Sequence, residues 1–489
     1  MGCQGIQLIR ISSESQSART TQTSATKTIQ TEDSAALDKA KFQLPFGSAL
    51  FRENVYFSPA VTAQPSFDWD GIQRSLQLRC ISDRFDLKAL ISLQTEVEDC
   101  AKKIEAVESM RKQIQEKSGS GLITEDIRSQ GRALRSDLKQ LKEKMRKILP
   151  TFQKQALLLP NTLHPLCPTG PDTAVVRPLG IGASKKKISW SEVADDIYEA
   201  PVGVYFTGKL ASLEKDHVDY ARDYWFGLED DGVPTYPINL SDFARGPAVE
   251  GTACPLLHEA IRLEPTRGDL FQVEQDGESN PKWLVNPNTS CYLVGSASLA
   301  SFIAYLVRQK LVCTTPTPFR LVTSGSCYTG TQDDGSTFKY RTGTDSSNKP
   351  PFEQRKQVSL LELSSSWAEC ETGFERVVSQ LCNFWSHYQP SWSLRHVRVP
   401  APQLLPCEML RSVIDAKLPD CPNGPSSLSL ASVSLLHEWI SRRVSVRIKS
   451  DEADGTQAFY PHMVYARLMD FRSLMTAFKR TGHLEEVPK

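Results

Sequence analysis

Residues Ala156 to Asp172 read ALLLPNTLHPLCPTGPD. An apolar run, Leu157 to Leu159, is followed by Pro160, Pro165, Pro168 and Pro171. Proline has no amide donor and a fixed φ, and the residue before it avoids the helical region, so a helix reaching this stretch must stop. The leucines then need a core, and the spacing predicts that they bury where the preceding helices meet the rest of the chain.

Upstream, Leu90, Leu93, Val97, Cys100, Ile104, Val107 and Ile114 keep a three-four spacing from Phe85 to Lys117, with Arg111 falling in the seam. That period is one helix of a coiled coil. Lys117 to Gly121, KSGSG, breaks it, and Leu134, Leu138, Leu141, Met145 and Ile148 set a second seam. The two helices are expected to fold back antiparallel. Each would reach roughly 50 Å at about 1.5 Å per residue, too long for one globular core to wrap, so the hairpin is expected to project.

The second helix carries Arg128, Arg132, Arg135, Lys139, Lys142 and Arg146 at four-three-four-three-four spacing, along one side beside the apolar seam. With Lys144 and Lys147, these bases stand against only Asp137 and Glu143 between Ile127 and Lys147. Such a stripe suits a nucleic-acid phosphate backbone and would make binding salt-dependent. The same bases could instead pair with Glu96, Glu105, Glu108 or Glu116 of the first helix, or simply be solvated.

The 489-residue chain suits two or three domains. Its 57 basic and 57 acidic residues cancel, with a pI near 7.1, so overall charge selects no partner. Twelve scattered cysteines include no CxxC pair or Cys/His cluster with zinc spacing, which argues against a structural metal or disulfide framework and for a reducing compartment. The longest uncharged window, Trp283 to Val307, is interrupted by Asn286, Pro287 and Asn288, so it reads as a buried strand and helix rather than a membrane span. Residues Ser12 to Ser34 are crowded with Ser and Thr, and over residues 1–30 Arg10, Arg19 and Lys27 face Glu14 alone. This composition fits a mitochondrial presequence as well as a disordered tail. MGCQGI fails as a myristoylation signal because Ile6 stands where Ser or Thr is expected.

A helical hairpin followed by LLLPNTLHPLCPTGPDTAVVRPLG resembles the seryl-tRNA synthetases, whose tRNA-binding arm returns to the catalytic domain through an LPN-x-x-HP segment. The likeness continues through YFTGKLASLEKDHVDYARDYW (Tyr205 to Trp225), similar to the lead into the family's first class II motif and dimer contacts. YLVGSASLASFIAYLV (Tyr292 to Val307) sits where the family has its serine-binding strand. ASVSLLHEWISRRVSVRI (Ala431 to Ile448) resembles the entry to the last motif, with Glu438, Trp439, Arg442 and Arg443 matching its acidic-aromatic-x-x-Arg-Arg pattern. The resemblance implies an α+β body, an antiparallel sheet with flanking helices, preceded by a projecting arm. Its implied organisation is a presequence or tail over residues 1–40, a lead-in over 41–84, the arm over 85–155, a linker over 156–200 and the synthetase-like body over 201–489.

Amino-acid activation needs fixed cations and carboxylate-held magnesium around the α-phosphate of ATP. The resemblance places the family's motif 2 Arg-x-Glu on Thr329 and Thr331, and its Thr-x-Glu for the serine amino group on Ser296 and Ser298. A metal- and ATP-binding glutamate falls on Ser429. Hydroxyls supply neither the bidentate cation nor the counter-charge. Glu362 matches a carboxylate that contacts the serine side chain, and Arg472 the motif 3 arginine, as remnants. Losses at separate places imply a pseudoenzyme, with no catalytic residue and no cofactor. A divergent active ligase could instead use Lys339 or Arg341.

Other constellations are weaker. Ser326 and His387 lack a nucleophile elbow, Gly227 to Gly232 (GLEDDG) lacks calcium-loop spacing, and Gly182 to Glu192, with Lys185 to Lys187 and Trp190, reads as a linker. Three functional readings remain. One is a mitochondrial matrix heterodimer with the active mitochondrial seryl-tRNA synthetase, supplying the arm in trans to RNA such as mitochondrial tRNA. Another is independent RNA binding. The third is a scaffold, for instance for a mitochondrial quality-control factor, without membrane insertion.

Overall fold

The computed structural model describes residues 68–119, 125–180, 186–200, 203–228, 232–252, 261–263, 270–273, 282–285, 291–307, 310–312, 317–330, 352–419, 427–449 and 458–487. The presequence composition, Thr331, Lys339 and Arg341 lie outside them. The chain divides into a helical unit, Pro59–Pro160, and a body that takes up the chain again at Asn161.

Three helices build the helical unit: α1 (Trp69–Leu78), α2 (Leu87–Gly119) and α3 (Glu125–Leu158). The long pair runs antiparallel, since Cys100 Sγ donates to the Leu141 carbonyl while the lower-numbered Leu90 shares a cluster with the higher-numbered Phe152. Leu90, Cys100 and Leu138 are the buried seam residues. Arg111, placed in the seam by its spacing, is exposed, as a charged side chain reaching for water would be.

The described part of the lead-in packs on the long helices. Asp68 caps α1 by accepting the Gly71 amide, and Ile72 and Leu76 turn into a cluster with Ile81, Leu90, Phe152, Ala156 and Leu159. Leu159, expected to be buried, is buried in this cluster, where α1 supplies the apolar wall. α3 runs through Pro150 and stops at Leu158.

The proline-rich segment is stitched to the body. Asn161 donates through Nδ2 to the carbonyls of Cys407 and Leu436, both at 3.0 Å, and its amide donates to Pro406 at 2.8 Å. The His164 amide donates to Met409 at 3.1 Å, and its Nε2 meets Glu371 Oε1 at 3.1 Å. Where proline denies the chain helical bonds, these two polar residues supply replacements.

The body centres on an eight-stranded sheet of β1 (Ala174–Pro178), β2 (Thr235–Pro237), β3 (Phe319–Gly330), β4 (Phe352–Ser364), β5 (Leu394–Arg398), β6 (Leu410–Lys417), β7 (Ser427–His437) and β8 (His462–Asp470). Their order is β1-β5-β6-β7-β8-β4-β3-β2. Pairing is antiparallel except for β2 with β3, so the expected antiparallel sheet carries one parallel edge strand and is mixed. Val358 through Ser364 of the central β4 are fully buried, which requires cover on both faces.

Helices α4 (Gly208–Phe226), α5 (Gly246–Gly251), α6 (Leu299–Leu306), α7 (Trp367–Tyr388), α8 (Trp439–Val444) and α9 (Phe471–Thr481) complete the body. Ser366 caps α7, whose Phe374, Val377, Val378, Leu381, Phe384, Trp385 and Tyr388 are buried. Trp385 Nε1 donates to the Leu468 carbonyl, fixing α7 on β8. No described helix is long and apolar enough to cross a membrane.

Candidate functional site

Side chains alternate along a strand, so Ser359 and Glu362, three residues apart on β4, point to opposite faces of the sheet. Glu362 faces α7. Ser359 Oγ lies 3.4 Å from Tyr465 Oη, and Tyr465 donates on to the Ala297 carbonyl at 3.3 Å. The loop Gly295–Ser298, which carries Ser296 and Ser298, therefore lies over the face turned away from α7.

Asp242 holds that loop. It accepts the Ser296 amide on Oδ1 at 2.7 Å, and its carbonyl accepts the amides of Val294 and Gly295 at 2.9 and 3.0 Å. Gly295 adopts φ +89, and a Cβ there would stand 2.2 Å from the Ser326 carbonyl oxygen. Gly325 is needed too, because its Cβ would meet Ser296 Oγ at 2.2 Å. Glycine at both places lets the loop settle directly on β3.

The side chains of Ser298 and Ser429 are committed to local structure. Ser298 caps α6, accepting the Ser301 amide at 3.2 Å and donating to the Gly295 carbonyl at 2.8 Å. Ser429 Oγ accepts from Arg467 Nη2 at 3.3 Å. Thr329 lies in β3 opposite Glu353. Neither Ser298 nor Ser429 offers the anionic oxygen that an ammonium or magnesium ion requires.

Beside them stands a polar hub that the sequence reading missed. Asp470, fully buried, accepts Gln357 Nε2 at 3.1 Å and Arg355 Nη1 at 3.4 Å, and lies 4.0 Å from Arg467 Nη1. Its other oxygen caps α9, accepting the amides of Arg472 and Ser473 at 3.0 and 3.2 Å. An aspartate just before an amphipathic run was a legible cap signal. Its partnership with Arg355 was not, since Arg355 comes from β4, distant in sequence, whereas Arg467 lies three residues earlier in the same strand. Arg472 itself is half-buried in the first turn of α9.

Glu362 accepts Arg320 Nε on Oε2 at 2.7 Å and Arg376 Nη2 on Oε1 at 3.0 Å. Both carboxylate oxygens are thus used on the helix-covered face, away from Tyr465 and Ser429. The motif residues after β7 are likewise turned on one another. Arg442 Nε lies 2.6 Å from Glu438 Oε1, and the Arg443 guanidinium sits 3.4 Å above the Trp439 ring. Ser326 and His387 are not brought together as a pair. Ser326 Oγ accepts from Gln354 and Lys356 at 2.9 and 3.2 Å, whereas His387 Nδ1 meets the Asn383 carbonyl within α7.

No group of three or more His, Cys, Asp or Glu side chains that could hold a metal occurs among the described residues. The donor set at Ser296, Ser298 and Ser429 does not fit a carboxylate-held magnesium nucleotide.

On α3, Arg128, Arg132, Arg135, Lys139, Lys142 and Arg146 are all exposed. Two lysines are bridged to α2: Lys142 Nζ lies 2.8 Å from Glu108 and Lys144 Nζ 2.6 Å from Glu96. Lys142, by hydrogen bond and charge, lowers the Glu108 pKa, and Glu96 raises that of Lys144 in the same way. Arg146 stands 3.8 Å from Glu143 of its own helix. Arg135 and Lys139 make no ion pair among the described residues.

No family model matches the chain. It is similar to the Serine–tRNA synthetase-like protein Slimp of Drosophila melanogaster, 23% identical over 458 residues that cover 88% of this chain and 89% of that protein. Among solved structures, it resembles seryl-tRNA synthetase from Pyrococcus horikoshii complexed with ATP, with a TM-score of 0.61 at 15% identity, covering 86% of this chain and 98% of that one. It also resembles the cytoplasmic serine-tRNA ligase from Naegleria fowleri in complex with AMP, with a TM-score of 0.60 at 14% identity and coverages of 86% and 92%. The chain is seryl-tRNA synthetase-like and has the seryl-tRNA synthetase fold.

Proposed function

We propose that this chain is a catalytically inactive paralogue of the seryl-tRNA synthetases that works in mitochondria, partners the active mitochondrial enzyme, and binds RNA through α3. The observation that carries the inactive reading is the commitment of Ser298 to a helix cap and of Ser429 to Arg467, where activation would need carboxylates. Arg355 and Arg467 share the single buried carboxylate of Asp470, which is itself occupied as the cap of α9.

The matrix assignment rests on Arg10, Arg19 and Lys27 in a Ser- and Thr-rich, acid-poor start. The pairing rests on the synthetase fold. A paralogue that keeps the fold can take one place of a two-fold dimer while its partner carries out the chemistry.

The test is serine-dependent exchange of pyrophosphate into ATP by the purified chain, followed by light scattering of its mixture with the active mitochondrial enzyme. Silence in the first and a complex in the second are expected. Exchange activity would overturn the inactive reading, and two unassociated species would overturn the pairing.

A scaffold reading draws on the ion pairs Lys142–Glu108 and Lys144–Glu96, which show α3 charge serving the helix pair. It gives no role to Arg135 and Lys139, so RNA is preferred.

A further inference from the structure

The six-base stripe of α3 is not electrostatically uniform. Arg135 and Lys139 are exposed and make no ion pair among the described residues, whereas Lys142 and the neighbouring Lys144 each meet a glutamate of α2 within 2.8 Å. Antiparallel packing brings Glu96 and Glu108 to them, and long side chains on each helix lean toward its own N-terminus, which closes the gap between Lys142 and Glu108.

We propose that Glu96 and Glu108 mask Lys142 and Lys144 from RNA, so that phosphate contact on the central part of α3 falls to Arg135 and Lys139. This rests on the RNA-binding reading above and sets which part of α3 does the binding. A lysine contributes to RNA affinity by displacing counterions from the phosphates. When it must first leave a carboxylate, that carboxylate stays behind, unpaired and facing the phosphate. The exchange swaps one anion for another and adds a like-charge repulsion, so the net gain nearly vanishes. An exposed ion pair need not be strong to have this effect. Arg135 and Lys139, four residues apart, rise by about 6 Å along one side of the helix and face no such competitor.

The test uses the full chain and a fluorescein-labelled RNA stem-loop of scrambled sequence, with binding followed by anisotropy over a range of salt concentrations. Glu96→Gln with Glu108→Gln is expected to bind on the order of tenfold tighter at low salt, with a log–log salt slope steeper by about two. Adding Lys142→Met and Lys144→Met to that variant should abolish the gain. Thermal melts of each variant report whether the helix pair survives. If the native chain binds but the glutamate variant matches it in affinity and slope, the masking is wrong while RNA binding stands. If the native chain does not bind the stem-loop at any salt concentration, both fall.

Discussion

Arg320 Nε lies 2.7 Å from Glu362 Oε2 with both side chains fully buried, and Arg376 completes the carboxylate at 3.0 Å. Gly373 of α7 makes the room, because a Cβ there would stand 2.0 Å from Glu362 Oε1. Glu362→Gln keeps the shape and removes the charge that balances Arg320. It is expected to lower stability by about 3–5 kcal/mol in urea unfolding. Arg320→Met combined with Glu362→Leu should recover most of that loss. A neutral Glu362→Gln would show that the carboxylate is not the anchor described.

Asp470 joins a helix cap to an ion-pair hub, and two substitutions separate them. Asn also caps helices, so Asp470→Asn should lose the pairing with Arg355 and Arg467 but keep α9 capped. Asp470→Ala should lose both and be the less stable by about 0.5–2 kcal/mol. Equal midpoints for the two variants would mean that the cap contributes nothing.

Ser298→Ala is expected to cost about 1 kcal/mol through the start of α6, and Ser298→Asp to preserve it. Ser296→Thr with Ser298→Glu, which installs the Thr-x-Glu that the resemblance to seryl-tRNA synthetases would put there, should still give no serine-dependent pyrophosphate exchange. Ser429 would remain bonded to Arg467 and still lack the charge that holds magnesium. Exchange by this variant would show that the remaining site is competent.

Acid should destabilise the body through its histidines. Burial lowers the pKa of His217 and of His396 to about 4. Burial, with His462 and His164 nearby, takes His437 to about 3. In the unfolded chain these groups titrate near 6.5, so between pH 6.5 and their folded values the unfolded state binds more protons. Their contribution is fully present above pH 6.5 and is lost as pH falls toward 4 and then 3. His437 has φ +48, stacks on Trp367 with centroids 3.4 Å apart, and places Nδ1 3.1 Å from His462 Nδ1. His437→Asn tolerates the left-handed backbone and removes one titration, so its melting temperature should fall less steeply with acid than that of the native chain. Parallel slopes would remove His437 from this account.

The sequence by itself determined what local periodicity and proline chemistry can fix. The three-four spacing of Leu90 to Ile114 and Leu134 to Ile148 set two paired helices, KSGSG ended the first and the prolines from Pro160 ended the second. That Ser296, Ser298 and Ser429 carry hydroxyls and no charge was also plain from the sequence. Only the tertiary structure decided where the surviving charges are committed. Glu362 looked like a site carboxylate until its strand register turned it toward Arg376. Lys142 looked equivalent to Lys139 until the antiparallel pairing brought Glu108 to it. Leu159 is buried as its apolar run implied, but the wall it packs on is supplied by α1, some eighty residues earlier in the chain. Spacing along a helix or strand fixes which residues share a face, since the backbone repeat is local. The partner of a buried leucine or a charge comes from a distant segment, whose position depends on how the whole chain packs.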